Sequence, residues 1–78
     1  MTEPEAQARF RQWLQEIGSA AEFDLSKFAS TQVRDDVWVF TPPGRTNSIY
    51  VVTPAVVRTV HPSKESLPAV LAEMGIEV

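Results

Sequence analysis

Residues Asp36–Val60 read DVWVFTPPGRTNSIYVVTPAVVRTV, and this stretch decides the fold class. It contains three short runs of β-branched and aromatic residues, which favour the pleated surface of a sheet. Proline and glycine separate the runs, and both residue types are typical of turns. The pattern therefore predicts an antiparallel meander with strands over Val37–Thr41, Ile49–Val52 and Ala55–His61.

A helix is predicted before the meander, over residues 3–17. Thr2 and Glu5 form a capping box, in which each side chain accepts a hydrogen bond from the other residue's backbone N–H. Gly18 is suited to the left-handed conformation that ends many helices. One face of the helix carries an apolar stripe at helical spacing, made of Ala6, Phe10, Trp13, Leu14 and Ile17.

A second helix is predicted after the meander. Pro68 is tolerated only in the first turn of a helix, so the helix begins near Ser66 or Leu67. Either Ser63 or Ser66 would serve as its N-cap, and Gly75 fits its C-terminal end. The fold class is therefore α+β: an N-terminal helix, a three-stranded antiparallel meander and a C-terminal helix.

The link over residues 19–35 has two interpretations. Ser19–Glu22 matches a second capping box and favours a short helical turn. Alternatively, Phe23 and Leu25 alternate as part of an extended edge. Ser30–Arg34 is either irregular chain or a backward extension of the first strand.

Length and composition narrow the class of protein. The 78 residues predict one small domain, 1–78. The chain has no cysteine, which excludes disulfides, cysteine-based zinc sites and thiol catalysis. Its net charge is −3 and its seven basic residues are scattered, whereas a nucleic-acid interface needs a basic stripe. We therefore expect neither nucleic-acid binding nor a metal or other cofactor.

The apolar runs are far shorter than a membrane helix, which needs roughly 20 apolar residues. Met1–Glu5 is acidic where a signal peptide would be basic. We therefore expect no membrane span and no signal peptide, and a cytoplasmic location, which the lack of cysteine also fits.

Both faces of the predicted sheet are apolar. In the first strand Val37 and Val39 point one way and Trp38 and Phe40 the other, where a sheet with one wet face would alternate apolar and polar residues. Either the two helices cover one face each, or one face meets a partner or a second copy. An aromatic face made of Trp38, Phe40 and Tyr50 has the composition of a binding surface.

The connection Pro42–Ser48 is the candidate for a polar contact. Arg45 lies at its tip, where the guanidinium could hold a carboxylate or phosphate, and Asn47 follows it. The loop has a single glycine, so it matches neither a phosphate-binding P-loop nor a dinucleotide fingerprint. A solvated hairpin tip is the plain alternative.

These features favour a non-enzymatic protein-binding module, with no catalytic residues, acting through the aromatic face and the hairpin loop. A small adaptor or an inhibitor would suit, of the kind exemplified by bacterial immunity proteins and phage-encoded inhibitors. One alternative is a homodimer that binds a small ligand at its joint surface. Another is a small hydrolase that uses His61, the only histidine, with Asp35 or Asp36.

Overall fold

The computed structural model describes residues 1–18, 25–43 and 48–76. Over these ranges the chain forms an N-terminal helix, a short 3₁₀ turn, a four-stranded sheet and a C-terminal helix. The helices are α1 (Glu3–Glu16) and α2 (Leu67–Glu73), and the 3₁₀ turn is Leu25–Lys27. The strands are β1 (Ala29–Arg34), β2 (Val37–Thr41), β3 (Ile49–Val52) and β4 (Val57–Val60).

The sheet is an antiparallel meander in the order β1-β2-β3-β4. The class α+β is confirmed, but the prediction of three strands is corrected to four, because Ala29–Arg34 forms an additional strand. Asp35 and Asp36 make the turn between β1 and β2. The register shifts between Gln32 and Arg34, which marks a β-bulge just before that turn.

The last strand is shorter than the sequence predicts, because its first two residues belong to a turn. The N–H of Thr53 donates to the carbonyl of Val56 at 2.9 Å. The hydroxyl of Thr53 accepts a hydrogen bond from the N–H of Val56, also at 2.9 Å. These bonds close the turn at Val56, so regular pairing begins at Val57 instead of Ala55.

The capping box of α1 is confirmed. The Thr2 hydroxyl accepts from the Glu5 N–H at 3.4 Å, and the Glu5 carboxylate accepts from the Thr2 N–H at 3.0 Å. Gly18 has a φ of 77°, the left-handed conformation expected at this end. Ile17 departs from the expected stripe: it caps the helix and is 51% exposed.

In α2 the N-cap is Ser66, whose hydroxyl accepts from the N–H of Ala69 at 3.3 Å. Pro68 lies in the first turn, as predicted. Gly75 follows the helix with a φ of 79°. The second capping box at Ser19–Glu22 lies outside the described residues.

The two helices lie on opposite faces of the sheet, which resolves the choice that the sequence left open. Two separate clusters of buried side chains result. The α1-side cluster contains Ala6, Phe10, Leu14, Phe40, Tyr50, Val52 and Val57. The α2-side cluster contains Val37, Val39, Val51, Val60, Val70 and Leu71.

None of the described helices is long and apolar enough to cross a bilayer.

Candidate functional site

The aromatic face of the sheet is covered by α1. Phe40 is fully buried and Tyr50 is 8% exposed. The ring centroid of Phe10 lies 5.2 Å from that of Phe40 and 5.0 Å from that of Tyr50. Burial also raises the pKa of the Tyr50 hydroxyl above its ordinary value of 10.0. The aromatic surface that the sequence predicts for binding is therefore part of the core. A partner could contact Phe40 and Tyr50 only if α1 moved away.

Trp38 is the exception among the three aromatic residues, because it remains partly exposed. Its indole N–H donates to the backbone carbonyl of Met1 at 2.9 Å, which ties the start of α1 to the sheet. In the sheet register Trp38 is paired with Gln32 of β1. The accessible part of the aromatic face is thus limited to its margin beside β1.

The other two predicted binding residues, Arg45 and Asn47, lie outside the described residues. Of their loop, Pro42, Pro43 and Ser48 belong to the described part of the chain.

His61 does not lie near Asp35 or Asp36, the aspartates with which it is grouped on sequence grounds. It follows β4, whereas Asp35 and Asp36 form the turn after β1. In an up-and-down meander the end of the fourth strand and the first turn lie at opposite ends of the sheet. In addition, β3 lies between β4 and the two strands that this turn joins. Instead, the imidazole Nδ1 of His61 lies 3.3 Å from the Ser48 hydroxyl. Within the described residues no group of three or more acidic or histidine side chains could hold a metal.

An open cleft of about 740 Å³ lies between the β1–β2 turn and the end of α2. Arg34, Asp35 and Asp36 line one side of it, and Gly75 and Ile76 line the other. A small-molecule site is expected to enclose most of its ligand. The wide mouth of this cleft gives no such enclosure.

The hydrogen-bond ladder shows which way each strand turns its backbone groups. Thr53 and Val56 are hydrogen-bonded to each other across the β3–β4 turn. Hydrogen-bonded and non-hydrogen-bonded pairs alternate along an antiparallel ladder. On β3, therefore, the backbone groups of Tyr50 and Val52 turn the other way, toward β2.

The same alternation carries across β2 to β1. Tyr50 and Val52 bond the β2 residues on either side of Val39, so Val39 turns its backbone groups toward its β1 partner, Thr31. The N–H and C=O groups of Ser30 and Gln32 must then point away from the sheet. No strand in the described part of the chain pairs with them.

The opposite edge of the sheet, formed by β4, is protected against pairing with a further strand. β4 has only four residues, and Pro54 and Pro62 lie close to its two ends. The N–H of His61, next along the outer edge, already donates to the Glu65 carboxylate at 3.3 Å. Short strands and flanking prolines are the means by which natural proteins discourage pairing at an edge.

The outer edge of β1 has fewer of these protections. Ala29–Val33 contains neither proline nor a charged residue, and the bulge after Gln32 protects only the far end. We call Ala29–Gln32, with the outward groups of Ser30 and Gln32, the open edge. On sequence grounds Ser30–Arg34 was left as either irregular chain or a backward extension of the first strand, and the structure makes it part of a separate edge strand.

No family model, curated protein or solved structure matches this chain.

Proposed function

We propose that this chain is a non-enzymatic protein-binding module that accepts an extended segment of a partner protein along the open edge of β1. The supporting observation is the orientation of Ser30 and Gln32, which present two N–H donors and two C=O acceptors outward. Addition of a strand to a sheet edge draws its affinity from such backbone groups. The module would act as a small adaptor or an inhibitor.

As far as the described residues show, the packing of α1 leaves room for an added strand. Its buried side chains form one cluster with Phe40, Tyr50, Val52 and Val57, which belong to β2, β3 and β4. Over β1 the contact is peripheral: the Ser30 hydroxyl donates to the Glu3 carboxylate at 2.6 Å. A segment beside β1 would therefore not displace the helix.

The side chains of β1 indicate what kind of segment fits. On the α1 side the edge presents Ser30 and Gln32, which are polar. On the α2 side it presents Ala29 and Thr31, both exposed, and the half-buried Val33. A matching segment would alternate polar side chains on the first face with small or β-branched side chains on the second, since facing pairs interact across neighbouring strands.

The test is selection of displayed, extended peptides against the wild-type chain, followed by affinity measurement on two variants. Gln32→Pro removes an outward N–H from the open edge. Thr59→Pro is the matched control, because Thr59 pairs with Tyr50 and likewise turns its N–H outward, on the protected edge. We expect Gln32→Pro to weaken binding about tenfold or more, through a lost hydrogen bond and a steric clash, and Thr59→Pro to leave it unchanged.

Circular dichroism would establish that both variants are folded. Equal binding by wild type and Gln32→Pro, or equal loss in both variants, would show that the peptides bind elsewhere and would overturn the proposal.

A further inference from the structure

The open edge of β1 is complementary to itself. We infer that the segment it accepts is β1 of a second copy of this chain, paired antiparallel about a two-fold axis at Thr31. This inference rests on the proposed function and names its partner.

The backbone decides the register. Ser30 and Gln32 both turn outward and lie one residue on either side of Thr31. A two-fold axis at Thr31 places Ser30 of each copy opposite Gln32 of the other, which forms four backbone hydrogen bonds. A shift of the axis to Ser30 or to Gln32 would require pairing by Phe28, which precedes the strand, or by Arg34, which follows the bulge.

The side chains agree with this register. Thr31 meets Thr31 of the second copy on the α2 side, and facing threonines are a favourable cross-strand pair. Ala29 meets Val33, which adds apolar contact to a valine that is only half-buried in one copy. Ala29–Val33 carries no charge, so no like charges face each other.

The dimer would be a weak one. Its two sheets would form one continuous eight-stranded sheet, with both α1 helices on one face and both α2 helices on the other. One short strand pair lies at the small end of specific contacts, which typically bury about 1,200–2,000 Å². We therefore expect the dimer to form at high concentration and to dissociate on dilution.

The first measurement is solution mass by light scattering, from micromolar to millimolar concentration. We expect the mass of wild type and of Thr59→Pro to rise from one copy to two, and that of Gln32→Pro to stay at one. A wild-type mass that stays at one copy throughout would overturn the self-pairing. If displayed peptides still bound wild type but not Gln32→Pro, the proposed function would stand with a different partner.

Cysteine cross-linking tests the register without proline. The natural chain has no cysteine, so an added one is unique. In a non-hydrogen-bonded pair the facing Cα atoms are about 4.5 Å apart, within the range of a disulfide, and Thr31→Cys should therefore cross-link on mild oxidation. Ala29→Cys is the matched control on the same face, since the two Ala29 residues would lie about 14 Å apart along the strands. Equal cross-linking of the two variants, or stronger cross-linking of Ala29→Cys, would overturn the register.

Discussion

At the scale of single residues, the capping box of Thr2 and Glu5 changes the pKa of the Glu5 carboxyl group. The Glu5 carboxylate accepts the Thr2 N–H at 3.0 Å. This backbone hydrogen bond, with the side-chain bond to Thr2 second, holds the pKa of Glu5 below its ordinary value of 4.5. The ionised carboxylate is thus favoured in the folded chain, where it also lies in the first turn of a helix.

The pH dependence of stability follows from the sign of that shift. Because the pKa of Glu5 is lower in the folded chain than in the unfolded one, its contribution is present above 4.5 and is lost as the pH falls below that value. Glu5→Gln cannot ionise. We therefore expect the stability advantage of wild type over Glu5→Gln, measured by urea unfolding, to shrink as the pH is lowered from neutral to acidic.

Glu16→Gln removes a carboxylate from the last turn of the same helix and serves as the control for net charge. An advantage of wild type over Glu5→Gln that stayed constant with pH would contradict the role of the capping box.

The aromatic residues show what could be predicted at this scale and what could not. Alternation along a strand places Trp38 and Phe40 on one face, and the structure has them there. Their burial depends on where α1 packs, and an apolar helix stripe fits any apolar surface of suitable size. No residue of β2 or β3 specifies which helix covers it.

At the scale of elements, the strands with the densest apolar and β-branched sequence were the ones whose bounds were predicted correctly. The bounds of β2 and β3 are confirmed, because both strands are dense in valine, isoleucine and aromatic residues. β1 stayed undecided between irregular chain and an extension of the first strand, because an edge strand buries little and its residues ASTQVR have no apolar alternation. The start of β4 was misplaced because the hydroxyl of Thr53 competes with the ladder for Val56.

The start of α2 can be tested with two serines that both fit the sequence. Ser66 caps the helix in the structure, whereas Ser63 is exposed in the preceding turn. We expect Ser66→Ala to lower the free energy of unfolding by about 1 kcal/mol, through loss of the capping hydrogen bond. Ser63→Ala should change it by far less. A larger effect of Ser63→Ala in thermal or urea unfolding would move the helix start.

At the scale of the whole molecule, one sheet joins two clusters. β2, β3 and β4 each contribute side chains to the α1-side cluster and to the α2-side cluster. The two-sided apolar pattern predicted that both faces need cover, and helices of the same chain supply it. Because every central strand serves both clusters, we expect them to unfold together.

Leu71→Ala tests this coupling. Leu71 of α2 is buried in the α2-side cluster. Its truncation should therefore lower the free energy of unfolding by about 2–5 kcal/mol. Trp13 and Trp38 both pack on the α1 side, so their fluorescence reports the other face. We expect the urea midpoint by fluorescence to fall as far as the midpoint by circular dichroism.

Val56→Ala is the control, since Val56 is 47% exposed and its truncation should change little. An unchanged fluorescence midpoint in Leu71→Ala would mean that the two faces unfold independently.

The placement of the helices along the chain has a consequence during synthesis on the ribosome. α1 precedes the strands that it covers, so the α1-side cluster is complete once Val57 has emerged. The opposite face has no helix until Val70 and Leu71 follow. Its valines, on β2, β3 and β4, are therefore shielded later than the α1-side cluster, and they stay exposed to chaperones and to premature aggregation for longer.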